Sequence, residues 1–295
     1  MPQPDPPQTM QETLDPRVNA FRPDLARATL EGRVAAPRFV TGTPACVTVP
    51  VTALRRTPAP DGPRDTELLF GESVVVLDEA QGWAWVQADR DRYVGYVAGD
   101  TLARHEQTPT HRVAALRTFI YAAANLKSPV LGWMSLNSPV QVISQQDRFS
   151  LLSGGGCVFT DHLHATNETA PDFVGVAEGF LETPYLWGGR SSLGLDCSAL
   201  VQCALEAAGI ECPRDTDMQE SAVGIALAET EPMQRGDLVF WKGHVGIMRD
   251  ARTLLHANAT HMKTVLEPVE LAIRRIAETD GPVTSVRRLP STGKR

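Results

Sequence analysis

The stretch that most constrains this chain is 183–202, TPYLWGGRSSLGLDCSALVQ. It sets Cys197 between Asp196 and Ser198, after a glycine-rich turn and before an apolar run. Leu200, Val201, Ala204, Ala207 and Ala208 recur at helical spacing and Gly209 stops the pattern, so a helix is expected to start at Cys197. A cysteine at a helix start meets unpaired backbone N–H groups and the positive end of the helix dipole, which favour thiolate. The expectation is an accessible, partly ionised thiol at a cleft. Cys203 falls on a different face of the same helix and reads as core.

A nucleophilic thiol needs a base, most often histidine. His244 and His256 lie in consecutive strand-like runs, HVGIMRD and TLLHANA, separated by a turn around Asp250. A hairpin centred on residue 250 makes the two histidines direct cross-strand neighbours on one face, with Cβ atoms roughly 5 Å apart. His244 would then take the thiol proton, and His256 would hold the His244 ring in the working tautomer. Cys197, His244 and His256 also suit zinc by ligand type, but no fourth ligand is evident, so neither a metal nor another cofactor is expected.

The rest of the chain reads as support. At 295 residues two or three domains are expected. A net charge of -7, spread along the chain, argues against nucleic acid or an anionic membrane as partner. No apolar run approaches the ~18 residues of a membrane span. The first residues, MPQPDPPQTMQETLDP, are proline-rich and acidic without an apolar segment, so no secretory signal is read and a cytoplasmic protein is expected. Five cysteines without a CxxC pair fit reduced thiols.

Residues 1–45 read as a tail, disordered to about residue 20, and a strap. Residues 46–106 have β texture: CVTVPVTAL, then ELLFGESVVVLDEAQGWAWVQ with an acidic turn, then RYVGYVAGDTL. Residues 107–168 repeat that texture, with Gly154, Gly155 and Gly156 inside the last run. From 169 to 295 helix patterns come first and strands follow, an α+β order. Two small β-barrels followed by an α+β domain are therefore expected.

PYLWGGRSSLGLDCSALVQ, followed by GDLVFW, GHVGIM and LLHANA, resembles the NlpC/P60 cysteine peptidases, and the order FGE, acidic turn, GW and YVGYV resembles bacterial SH3-like domains. The resemblance implies a papain-like catalytic domain with Cys197 as nucleophile, His244 as base, His256 as third polar residue and Tyr185 as an oxyanion-hole donor. The whole chain resembles γ-D-glutamyl-L-diamino acid endopeptidases of the dipeptidyl-peptidase VI type. This implies cleavage of murein peptides bearing a free N-terminal L-Ala, with release of L-Ala-γ-D-Glu. It also implies that Asp196 and Ser198 bind the N-terminal dipeptide, and that an SH3 carboxylate and tyrosine close the amine end. Glu72 and Tyr93, with Tyr96 behind it, match best, and Arg190 is a further cleft candidate. With no export signal read, recycling of murein tripeptides is the expected role; the oligomeric state is left open. Another acyl transfer on the same Cys/His core, such as an N-acetylmuramoyl-L-alanine amidase, and a non-catalytic wall-binding protein remain the alternatives.

Overall fold

The computed structural model describes residues 14–104 and 108–290. The expected disorder falls largely on residues 1–13, which lie outside the described residues. Residues 14–20 are tied down: the Val94 N–H donates to the Arg17 carbonyl at 2.8 Å. The strap forms a small sheet of its own from Phe21–Arg22, Leu25–Arg27 and Phe39–Val40. Its Ala20 and Leu25 are buried against Leu77 and Trp85 of the next unit.

The first β unit begins at β1 (Thr43–Val47), earlier than read, and Pro50 splits CVTVPVTAL into β1 and β2 (Val51–Arg55). Proline has no N–H for a ladder, so a continuous strand is broken there. Strands β3 (Arg64–Leu69), β4 (Ser73–Ala80), β5 (Trp83–Ala88), β6 (Val94–Ala98) and β7 (Leu102–Ala103) complete the unit. Gln81 and Gly82, both at positive φ (52 and 81), join β4 to β5 in a tight hairpin. The hydrogen-bonded order is β7-β1-β4-β5-β6-β2-β3, around a core of Leu54, Leu68, Val74, Val86, Tyr93 and Val97. Both β7 and β3 are edges, so the sheet is not the closed barrel that was expected.

The second β unit divides between a five-stranded sheet and a three-stranded one, around Val113, Met134, Val140 and Val158. Here too the pairing does not close. The three glycines lie in the loop between strands Phe149–Leu152 and Cys157–Phe159.

The α+β order of the last unit is observed. Helix α1 (Phe173–Glu178) is capped by Asp172, whose Oδ1 accepts the Val174 N–H at 3.0 Å. Helix α2 (Cys197–Ala207) starts at the cysteine, and α3 (Thr216–Ala222) follows. The sheet consists of β8 (Ile225–Ala226), β9 (Leu238–Trp241), β10 (His244–Met248), β11 (Thr253–Asn258), β12 (Lys263–Pro268) and, after α4 (Val269–Ala277), β13 (Ser285–Arg288). Its order is β8-β13-β9-β10-β11-β12. Helix α2 packs on β10 and β11 through Val201, Leu205, Val245 and Leu255, among others.

Every residue of α2 except Glu206 is buried, because the β units cover the side facing away from the sheet. The second β unit holds the helix's C-terminal end. The Arg112 guanidinium donates to the carbonyls of Glu206, Ala207 and Glu168 at 2.7, 2.7 and 2.6 Å. The Glu206 and Ala207 carbonyls end α2, where they also accept the Gly209 and Ala170 N–H groups at 3.0 and 2.8 Å, and a cation suits the negative end of the helix. Arg112→Ala is expected to lower unfolding free energy by about 2 kcal/mol, since charge-assisted hydrogen bonds are lost. Urea unfolding checks this, and an unchanged midpoint would overturn the clamp.

Candidate active site

The turn before α2 is shaped by glycine. Gly188 has φ +70, and a Cβ there would lie 2.9 Å from both Cγ and the carbonyl oxygen of Arg64. A side chain is excluded on both counts. The turn delivers Asp196 to the N-cap of α2, where Oδ1 accepts the Ala199 N–H at 2.9 Å and Oδ2 accepts the Gly188 N–H at 2.9 Å. Arg214 then grips the same carboxylate with both terminal nitrogens, at 3.0 and 2.7 Å. It also donates to Ser198 Oγ at 2.7 Å, to Thr66 Oγ1 of β3 at 2.7 Å and to the Gly189 carbonyl at 3.3 Å.

Cys197 is only 6% exposed, with Sγ 4.0 Å from the Gly243 carbonyl oxygen. Burial pushes its thiol up to about 11, and the Asp196 charge adds to this; the Val245 N–H, the Thr216 hydroxyl and Arg214 pull the other way. The expectation of a lowered thiol pKa is thus corrected. The favourable helix start is outweighed by desolvation, and the Arg214 charge is neutralised by Asp196. Burial at this position favours the protonated thiol. Tyr185 packs beside it, half-buried. Its phenol is pushed above the ordinary range, first by burial and then by the neighbouring thiolate charge.

The two histidines meet, though not in the expected register. Ile247 faces Leu255 and Met248 faces Leu254, because the Arg249 N–H bonds the Thr253 carbonyl around a wider turn. Paired numbers therefore sum to 502 (247 + 255) rather than 500. This shift keeps both histidines on one face, since side chains alternate with period two. They are diagonal neighbours, with His244 Nε2 2.9 Å from His256 Nδ1. Burial, and then the charge of His256, lower the His244 pKa to about 3, so the imidazole is neutral and can accept a proton. His256 is fully buried and its pKa is also lowered by burial. Its Nε2 lies 3.0 Å from Glu267 Oε2 and 3.1 Å from Asn258 Nδ2. Arg275 donates to both oxygens of Glu267, at 3.2 and 2.6 Å. Hydrogen bonds from His256 and Arg275 hold the Glu267 carboxyl down at about 2.

The expected substrate-reading residues divide. Asp196 and Ser198 border the thiol, but the Asp196 carboxylate is occupied by the cap and by Arg214. Arg190 is fully buried, with Nη2 2.7 Å from Glu72 Oε1 and 3.1 Å from Glu206 Oε2. Glu72 is 5% exposed, accepts the Leu69 N–H at 3.0 Å and also pairs with Arg90 at 3.1 Å. The expectation that Glu72 and Arg190 face substrate is therefore corrected: they form an internal ion pair between the first β unit and the α+β unit. Tyr93 does reach across, donating its hydroxyl to Asp215 Oδ2 at 3.0 Å. Tyr96, its understudy, instead lies on the strap side, where its hydroxyl accepts from Arg22 at 3.2 Å. Arg17 of the strap fastens the same corner from outside, at 2.9 Å to Asp215 and 2.7 Å to Asp217.

Sequence reasoning missed Arg214, Thr216, Glu67 and Glu267. Glu67 accepts the Arg190 N–H at 2.9 Å across the same junction. Glu267 carried a signal: it stands opposite Leu254 on β12, so it shares a face with His256. Among the described residues no acidic, histidine and cysteine cluster could hold a metal ion. A buried, protonated thiol should react with iodoacetamide at a rate that keeps climbing past pH 9.0, the ordinary cysteine value. A plateau near neutral pH would show instead that the helix start prevails.

The chain is similar to known proteins. Residues 54–102 match the bacterial dipeptidyl-peptidase SH3 domain, and residues 182–274 match the NlpC/P60 family. A γ-D-glutamyl-L-lysine dipeptidyl-peptidase of Bacillus subtilis is 27% identical over 240 residues, 71% of this chain and 80% of the relative. One of the same name from Bacillus cereus is 24% identical over 234 residues, 70% of this chain and 69% of the relative. The crystal structure of an NlpC/P60 family protein from Bacillus cereus superposes with a TM-score of 0.69 at 20% identity, covering 84% of this chain and 100% of that one. The chain thus carries an SH3 domain of the bacterial dipeptidyl-peptidase type at residues 54–102 and an NlpC/P60 domain at residues 182–274, and it is a cysteine peptidase.

Proposed function

We propose that the enzyme hydrolyses the amide between γ-D-Glu and the following diamino acid in murein peptides with a free N-terminal L-Ala, releasing L-Ala-γ-D-Glu. The observation that carries this is the Tyr93–Asp215 bond. It joins a tyrosine of the SH3 unit to Asp215, whose neighbour Thr216 hydrogen-bonds the nucleophile, and this supports a reading in which the SH3 unit walls one end of the cleft. A wall suits a dipeptide counted from the chain end. The names of the two relatives point to the same substrate class.

In this reading Cys197 Sγ attacks the amide carbonyl while His244 takes the thiol proton. The oxyanion is held by the Cys197 backbone N–H and the Tyr185 hydroxyl. His244 then protonates the leaving amine of the diamino acid and the C–N bond breaks. A water, deprotonated by His244, hydrolyses the thioester, freeing the γ-carboxyl of D-Glu and restoring the thiol. Asp196 holds the turn and Ser198 borders the dipeptide. The amine end is read by Tyr93 with Asp215 and with Asp65, whose charge also reaches Tyr93. A carboxylate there favours an α-ammonium and penalises a blocked terminus.

We also place the reaction in the recycling of free murein peptides inside the cell, with domain limits near residues 46, 107 and 169. None of the five cysteines forms a disulfide among the described residues, which suits a reducing compartment. Among the described residues no helix is long and apolar enough to cross a membrane.

Mass spectrometry of products tests the reading. L-Ala-γ-D-Glu-L-Lys and its diaminopimelate counterpart should each yield L-Ala-γ-D-Glu, and the N-acetylmuramoyl-blocked peptide should remain intact. Cys197→Ala should abolish turnover with the fold retained. Tyr93→Phe should raise KM several-fold, as expected for a lost hydrogen bond worth about 1 kcal/mol. Cleavage of the blocked peptide between muramic acid and L-Ala would identify an amidase instead.

A further inference from the structure

We propose that Glu267 is a positioning residue, whose carboxylate sets the tautomer of His256 and, through it, that of His244. The inference rests on Cys197, His244 and His256 acting as the catalytic set, and it extends that set by one strand. His244, His256 and Glu267 lie on β10, β11 and β12, stepped diagonally across three adjacent strands.

Two neighbours compete for Nε2 of His256. Asn258 Nδ2 at 3.1 Å is a donor and would ask for a bare nitrogen. The amide cannot turn round, because its Oδ1 already accepts the His261 N–H at 2.8 Å. Glu267 Oε2 at 3.0 Å is an acceptor and asks for an N–H. A carboxylate fixed by Arg275 on both oxygens is the stronger partner, since hydrogen bonds to a charged acceptor are roughly twice as strong as neutral ones. Arg275 is itself anchored on Thr260 Oγ1 at 2.9 Å, so the carboxylate has a fixed place.

The consequences run along the row. His256 Nε2–H donates to Glu267, which leaves His256 Nδ1 bare. His244 Nε2–H then donates to that nitrogen across 2.9 Å. This leaves His244 Nδ1 without a proton, the state a base needs to receive one from Cys197. Without Glu267, Asn258 prevails: its N–H enters Nε2, the proton moves to His256 Nδ1, and His244 must turn its bare nitrogen toward His256. His244 then presents an N–H to the thiol and cannot act as base. The other ionisable groups facing His256 are His244, Arg275 and His261.

The test compares the wild type with Glu267→Leu and Glu267→Gln. Nitrogen-15 NMR of labelled histidines should find His244 and His256 both protonated on Nε2 in the wild type. Glu267→Leu should move both protons to Nδ1 and slow alkylation of Cys197 at neutral pH by about tenfold to a hundredfold, the usual range for an outer partner of a reactive group. Turnover of the tripeptide should lose kcat by a similar factor at unchanged KM. Glu267→Gln should keep the wild-type tautomer and most of the rate, because its oxygen remains between His256 and Arg275. A wild-type His256 protonated on Nδ1 would overturn the proposal, a result that needs no variant to fold. Wild-type alkylation and tautomers in folded Glu267→Leu would overturn it equally. Neither measurement uses substrate, so both stand apart from the identity of the peptide cleaved.

Discussion

The structure depends most on one buried cation. Arg214, 1% exposed, uses all five of its N–H groups on Asp196, Ser198, Thr66 and Gly189. The guanidinium suits this place because its planar fork matches a carboxylate while the remaining donors point elsewhere. Taking two charges out of water is costly, and such pairs rarely add net stability, yet removing one partner costs about 3–5 kcal/mol. The bond therefore specifies rather than strengthens. It ties together the residues on either side of the nucleophile, the glycine turn before it and a strand of the SH3 unit. The cleft and its wall cannot be assembled separately.

Burial first, and the same ion pair second, set the balance at the thiol. A free guanidinium beside Cys197 would favour thiolate, but here the charge is consumed by Asp196, which itself disfavours ionisation. Chemistry then requires a neutral base, and burial of His244 supplies one. The site is matched in an uncharged resting form, and charge separates only as the sulfur attacks.

Much of the site was legible because it is local or governed by parity. The helix start at Cys197 follows from short-range pattern. The shared face of His244 and His256 survives a misjudged turn because any even shift keeps it. The contacts between units were not legible in this way. Glu72 looked available as a turn acid near an aromatic strand, yet it meets Arg190, 118 residues away (190 − 72), in the interior. Asp196 looked like a substrate ligand, and only the cap geometry and the distant Arg214 reveal its occupation. The barrels failed for a related reason: alternation marks strands, but closure depends on whether the edge strands meet.

The strap has a consequence for how the enzyme comes into being. Arg17 finds its partner Asp215 only across 198 residues of sequence, among the longest loops this chain closes. During synthesis the N-terminal segment leaves the ribosome first and must wait while three cores form. The corner beside Thr216 is thus fastened by a segment made well before its partner.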